Sequence, residues 1–447
     1  MAIPQSIHLP DLKRELRYWD SVAISIGIII GVGIFRVPTE VAKHVAWPLM
    51  SLGIWVLAGF ISLLGAMCFA ELASKYPHTG GTYVFLREAY GKRVAFLFGW
   101  TEFAILRAGS IAAVAYIFAA YLNRLIPIGP TGEKNIAIMA IGVLTLVNIL
   151  GVRLSSNIQN GFSILKVLTI LAMSIAILTA VTHQTGNLPL WLQKSPLPSG
   201  SHSWAYAFAA ALVPIMWTYG GWHESAFMAG EFRDTKRELP LSIVTSTLVV
   251  MALYVLINFA YFQVMTPAEM TQSKAIAADS FTKLFGRSGS VIVIAAVLIS
   301  AFGALNSTIM TGGRIPFAVA RDHEKLVWFA GIHPQFATPH RSLFLNGIWA
   351  VLLVLWGTFE QLLFFCQFAQ WLFFGLIGAA IFIERKKKLK AHFEVPFYPW
   401  LPVLFVIVAA GICFSAVWYA PKASLIGAVL IGAGLPLYDG LRGKAVS

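Results

Sequence analysis

Two hydrophobic stretches of this chain are interrupted by glycine at mid-length, and at those points the backbone itself could do chemistry. The first reads Ile29-Ile30-Gly31-Val32-Gly33-Ile34-Phe35, with Pro38 after it. The second reads Trp217-Thr218-Tyr219-Gly220-Gly221-Trp222, with Pro214 before it. A helix that stops at Gly31 and resumes after Gly33 leaves N–H groups unpaired at its new start and carbonyls unpaired at its old end. The N–H end favours an anion, and the carbonyl end favours a cation. An α-amino acid zwitterion presents both charges close together. Glycine suits the position because a side chain would block approach to the backbone, and because some of the dihedrals needed are closed to other residues. Taken singly, each break reads equally well as a kink or as close packing of small residues. Two breaks, each flanked by proline and each opening one half of the chain, favour a binding site in a transporter.

The elements that position these breaks are membrane helices. Of the 447 residues, 58% are hydrophobic and 12% charged, and the mean hydropathy is +0.74. A soluble domain carries about twice that charge fraction. Apolar runs long enough to cross a bilayer recur twelve times: 18–44, 48–74, 94–122, 135–151, 158–181, 204–232, 240–264, 288–319, 342–359, 361–384, 399–419 and 421–440. The fourth and ninth are the shortest. Unwound backbone at membrane depth is tolerated only where it lines a cavity or is buried in protein, so the breaks belong at a cavity. The expected fold is all-α, a single membrane domain over residues 1–447. Five spans (18–181) and five more (204–384) form an inverted repeat, and two further spans (399–440) follow. The halves share no sequence similarity visible by eye; the matching position of the breaks carries the repeat.

A net charge of +13 would raise nucleic acid in a soluble protein. Here most Lys and Arg, including Lys13, Arg14, Arg17 and those of the run Glu384–Lys390, fall on the side of the two termini. That asymmetry places both ends in the cytoplasm and makes the bilayer, not nucleic acid, the partner. The basic run reads as a stop-transfer flank, with an anionic-lipid site as the alternative. The N-terminus is polar through Arg17 and the first run is too long for a signal peptide. Cys68, Cys366 and Cys413 all lie within spans, so no disulfide framework is expected outside. No Cys/His spacing suggests a metal, and no GxxxxGK[ST] or HExxH motif suggests an enzyme. No cofactor is expected.

Several ordered motifs carry a family resemblance. Gly31–Pro38, then Gly65-Ala66-Met67-Cys68-Phe69-Ala70-Glu71-Leu72 and Gly80-Gly81-Thr82-Tyr83, resemble the amino acid–polyamine–organocation superfamily. Leu106-Arg107-Ala108-Gly109-Ser110, Tyr219-Gly220-Gly221-Trp222 and Gly303-Ala304-Leu305-Asn306-Ser307 resemble its L-type amino acid transporter family, as do Gly312-Gly313-Arg314, Trp371 and Gly434–Tyr438. The resemblance runs from about Tyr18 to Tyr438 and points to a prokaryotic member in the cell (inner) membrane. It implies the leucine-transporter fold, with helices one and six discontinuous, and sodium-independent exchange of neutral amino acids by alternating access. It places the substrate carboxylate on the N–H groups of Val32, Gly33 and Ile34 beside Gly31. It places the amino group on carbonyls at Ile29, Trp217 and Gly220, and makes Trp217 the gate. Two departures stand out. Relatives often carry Ser or Ala where this chain has Val32, which removes a hydroxyl and tightens the site. His223 stands where some relatives have Asn; it could confer pH sensitivity or simply face a hydrated inner vestibule. The loop at 122–134 lacks the cysteine of disulfide-linked relatives, so no heavy-chain partner is expected.

Ionisable residues at membrane depth are functional candidates by default. Lys166 lies about two turns into the fifth run. One reading has it snorkelling to the surface. The other, which the resemblance supports, makes its ammonium a fixed substitute for sodium, bridging span five to span one and to Asn306, Ser307 and Thr308. Glu102 and Arg107, five residues apart, are expected to be poorly placed to pair on one helix face. Glu231 and Arg233, with Lys236 and Arg237, read as an inner charge cluster that helps gating, and Glu71 reads likewise. Gln367 and Gln370 could face the cavity or pair with each other. The alternative function is a proton-coupled symporter of amino acids or amines; an amine substrate would need an acidic group in the cavity.

Overall fold

The computed structural model describes residues 18–78, 80–150, 152–181, 203–226, 234, 236–336, 338–357, 359–387 and 391–441. The described residues contain helices and no strand. Nine helices among them are long and apolar enough to cross a membrane, and two shorter apolar ones join them. With the split first span these make twelve.

Span one is α1 (Tyr18–Ile29), a single 3-10 turn at Gly33–Phe35, and α2 (Val37–His44). Pro38 sits in the first turn of α2, where its missing N–H costs nothing. Span two is α3 (Pro48–Lys75). A short helix, α4 (Thr82–Tyr90), then leads through Gly91, at φ 88°, into α5 (Lys92–Thr101). A π turn at Glu102–Arg107 joins α5 to α6 (Ala108–Leu125), completing span three. Spans four and five are α7 (Gly129–Leu150) and α8 (Val152–Val181). Span six opens with α9 (Trp204–Thr218), capped by the Ser203 hydroxyl; Tyr219 still bonds back to Ile215, and the backbone turns away at Gly221, at φ 112°.

The second half continues with α10 (Glu238–Val264), a short α11 (Pro267–Gln272), and α12 (Ile276–Gly312). Gly286, at φ 65°, kinks α12 and sets its first residues apart from span eight. The expected eighth run, 288–319, is corrected here: the span ends at Gly312, and α13 (Arg314–Asp322) is a separate helix. Hydropathy continues across the junction, but the Gly312-Gly313 pair lets the chain turn, and Pro316 falls in the first turn of α13, where no donor is needed. Spans nine to twelve are α14 (His340–Trp356), α15 (Phe359–Lys386), α16 (Trp400–Tyr419) and α17 (Pro421–Leu441).

Two groups of helices enclose the breaks. In one, α10 packs against both α1 and α3, with α9 against α2 and α3. In the other, α6, α7, α12 and α14 pack together. α8 touches both, meeting α1, α10 and α12. This is the leucine-transporter arrangement, with spans one and six discontinuous at its centre.

Candidate functional site

The two breaks lie against each other. A Cβ built on Gly33 would sit 2.9 Å from Thr218 Oγ1 and 3.1 Å from Trp217 Cζ3. One built on Gly221, at φ 112°, would sit 3.0–3.3 Å from the side chain and backbone of Ile28 and Ile29. Only glycine allows this approach. Gly31 differs, since its nearest neighbour would be the Ile29 carbonyl oxygen at 4.0 Å. It opens on a cavity of about 90 Å³. Both breaks line that cavity, together with Ser110, Ser307, Thr308, Gln370 and Glu224.

The backbone accounting singles out three donors. Ile30 N–H bonds back to Ile26, Gly31 N–H folds onto the Ile29 carbonyl at 2.7 Å, and Phe35 and Arg36 N–H groups bond to Val32 and Gly33. Among the described residues, no carbonyl accepts from the N–H groups of Val32, Gly33 or Ile34. Three consecutive unpaired donors at a helix start form a ready anion cradle. The acceptors are more occupied. The Ile29 carbonyl takes the Gly31 N–H and the Tyr254 hydroxyl at 2.8 Å, and that hydroxyl also lies 3.2 Å from the Thr218 carbonyl. The Trp217 carbonyl accepts from Gly220 N–H at 3.0 Å. Tyr254 was not a sequence candidate; it sits among the apolar residues of α10, and nothing in its spacing marks it.

Lys166 lies 14 residues into α8, nearly four turns from its start, and is 1% exposed. Its ammonium donates to the Gly27 carbonyl at 2.9 Å, at the end of α1. That geometry removes the snorkelling alternative. The reason is length: α8 begins at Val152, well before the apolar run that sequence reading took as the span. Asn306 Oδ1 accepts from Asn148 at 2.7 Å, and the Ser307 and Thr308 hydroxyls donate to the carbonyls of Gly303 and Ala304.

The chain is a member of the amino acid permease family. The family's sequence profile matches residues 16–436. The chain is 31% identical to the b(0,+)-type amino acid transporter 1 of Mus musculus over 434 residues, covering 96% of this chain and 88% of that one. It is 28% identical to the serine/threonine exchanger SteT of Bacillus subtilis over 452 residues, 98% of both chains. It is likewise 28% identical to the large neutral amino acids transporter small subunit 2 of Homo sapiens, over 96% of this chain and 80% of that one. The protein is therefore a multi-pass membrane transporter and not an enzyme.

The other ionisable and polar candidates of the permease find the following partners, and the Glu102–Arg107 expectation needs correcting. Glu102 and Arg107 do pair: Arg107 Nη2 and Nε reach Glu102 Oε1 at 2.6 and 3.0 Å. The π turn between them supplies the reason, since its i to i+5 bonds bring residues five apart onto one face. Arg107 also reaches Glu224 at 3.2 Å and Thr311 at 3.0 Å, so one cluster ties spans three, six and eight. Gly312 makes room for it, as a Cβ there would lie 2.7 Å from Arg107 Cγ. His223 faces no hydrated vestibule: it is 6% exposed and packs edge-on against Phe69 and Phe374. Glu71 is held by Arg385 at 2.7 Å and by the Val395 N–H at 2.8 Å, fixing span two to span ten. Gln367 and Gln370 bond to each other at 3.4 Å, and Gln370 also lines the cavity. Glu231 and Arg233 lie outside the described residues.

Proposed function

We propose that the chain exchanges neutral α-amino acids across the cell membrane without sodium, by alternating access to the cavity between the two breaks. The observation that carries this is the row of unpaired N–H groups at Val32, Gly33 and Ile34, beside the open wall at Gly31. These groups take the substrate carboxylate. The ammonium faces the carbonyls of Ile29, Trp217 and Gly220, and Trp217 covers the bound molecule. Lys166 stands in for sodium: a fixed cation capping the end of α1 and joining it to α8, with Asn306, Ser307 and Thr308 of span eight completing that site. Glu231 and Arg233 contribute to an inner gate. The repeats are 18–181 and 204–384. The bias of Lys and Arg puts both termini in the cytoplasm, and the chain works without a disulfide-linked heavy chain. The names of the relatives support exchange of neutral substrates: one is a serine/threonine exchanger, another a transporter of large neutral amino acids.

Counter-flow in proteoliposomes tests the reading. Vesicles preloaded with unlabelled amino acids should accumulate a labelled one in sodium-free buffer at symmetric pH, and empty vesicles should not. Accumulation that appears only with an imposed proton or sodium gradient would overturn it.

A further inference from the structure

Glu224 follows the second break, lines the cavity, and is short of hydrogen-bond donors. Arg107 directs Nε and Nη2 to Glu102, leaving Nη1 for Glu224 at 3.2 Å. The same Nη1 also serves Thr311 Oγ1 at 3.0 Å. Thr311 lies 3.4 Å from Glu224, but its single proton has a nearer acceptor, the Ser307 carbonyl at 3.0 Å. Glu224 thus receives one long bond, on Oε2, from one of the two N–H of Arg107 Nη1. Among the described residues no donor reaches Oε1. A carboxylate can accept about four such bonds. Among the described residues charge is short as well, because Glu102 and Glu224 share the one guanidinium of Arg107. A buried charge without compensation is costly.

The cavity wall does not supply what is missing. The hydroxyls of Ser307 and Thr308 give their protons to their own helix. Gln370 accepts from Gln367 at 3.4 Å, and neither its amide nor the Ser110 hydroxyl reaches Glu224 among the described residues. The Glu224 side chain is 15% exposed, so a solute in the cavity can reach it. The cavity is small, which admits a short side chain. We infer that Glu224 reads the substrate's side chain, so that the protein selects short α-amino acids carrying a hydrogen-bond donor, hydroxylated ones first, over apolar isosteres. The inference rests on the amino acid exchange reading above and adds the substrate class.

The test compares threonine with valine, which match in shape, and serine with alanine, in proteoliposomes of the full chain. Wild type should show a half-maximal concentration about tenfold or more lower for threonine than for valine. In Glu224→Met the ratio should fall to within about twofold of one. Methionine keeps the volume and leaves Glu102 and Arg107 as a neutral pair, and size-exclusion profiles check that the variant folds. Glu224→Gln, which keeps an acceptor but no charge, should give an intermediate ratio and serves if Glu224→Met is unstable. A wild-type ratio near one overturns the inference, as does a ratio that survives in both variants. The second result would mean that other groups of the cavity, not Glu224, read the substrate's side chain. Failure of wild type to exchange any amino acid would sink the exchange reading itself, and this inference with it.

Discussion

At Gly31 an added Cβ would meet nothing nearer than a carbonyl oxygen at 4.0 Å; at Gly221 it would press on the backbone of Ile28 and Ile29 at 3.3 Å. The two breaks share residue types and yet differ in nearly every contact. In the first, three N–H groups point to no carbonyl among the described residues, and a glycine faces open space. In the second, the Trp217 and Gly221 carbonyls bond within the turn itself, and Trp222 is locked against Phe69 and Phe374. A Cβ at Gly65 would lie 2.6 Å from that same indole, so span two is shaped around it. The first break is built to receive a ligand and the second to press against the first. Glycine is needed at one for access and at the other for fit.

The largest effect should come from the packed glycine. Gly221→Ala combines a left-handed φ of 112° with contact against backbone that cannot move aside. Strain and overpacking together should destabilise the protein by on the order of 3 kcal/mol. Loss of monodisperse protein on extraction, or a sharply lowered thermal midpoint, is the expected outcome. A Gly221→Ala variant that folds and melts like wild type would show that the breaks are not pressed together.

Lys166→Met comes next. It keeps the stem but leaves the Gly27 carbonyl buried without its donor, which should cost about 1–3 kcal/mol. Because the ammonium ties α1 to α8, exchange should fall by more than stability alone explains, about tenfold or more in rate when measured on protein shown to be folded. Equal exchange in the variant would mean that Lys166 supports the fold without any part in transport.

These contrasts also mark how far the sequence could be read. Helix number, the two breaks and the membrane class follow from hydropathy and from glycine and proline placement, because those signals are local and repeated. The end of span eight at Gly312 was missed because hydropathy continues into α13 while the backbone turns. The Glu102–Arg107 pair was missed because it depends on a π turn, whose i to i+5 geometry leaves no mark in residue spacing. Lys166 could be ranked as important, but its depth followed from where α8 begins, in polar residues that resemble a loop. The acceptors of the site were least legible: Tyr254 reaches the Ile29 carbonyl across 225 residues of chain.

Gly31→Ala should act on binding with little effect on stability. Its Cβ enters the cavity and meets no protein atom closer than 4.0 Å, and its φ is not in the left-handed region. The half-maximal substrate concentration should rise about tenfold, with the thermal midpoint unchanged to within a degree or two. Set beside Gly221→Ala, this is the sharpest form of the comparison: the same methyl group, added in two breaks, should damage affinity in one and folding in the other. A stability loss in both would make them equivalent packing points.

The smallest effect tests a hydroxyl that reaches carbonyls of both breaks. The Tyr254 hydroxyl lies 2.8 Å from the Ile29 carbonyl and 3.2 Å from that of Thr218. Tyr254→Phe removes this link and should lower stability by about 1 kcal/mol. Its effect on binding should have the opposite sign. The Ile29 carbonyl already holds the Gly31 N–H, so with Tyr254 in place both of its lone pairs are taken and an ammonium must compete. Removing the hydroxyl frees one, and substrate affinity should improve by up to about threefold while the thermal midpoint falls. If affinity drops together with stability, Tyr254 holds the carbonyl in position for the substrate instead of competing for it, and the two breaks bind as one unit.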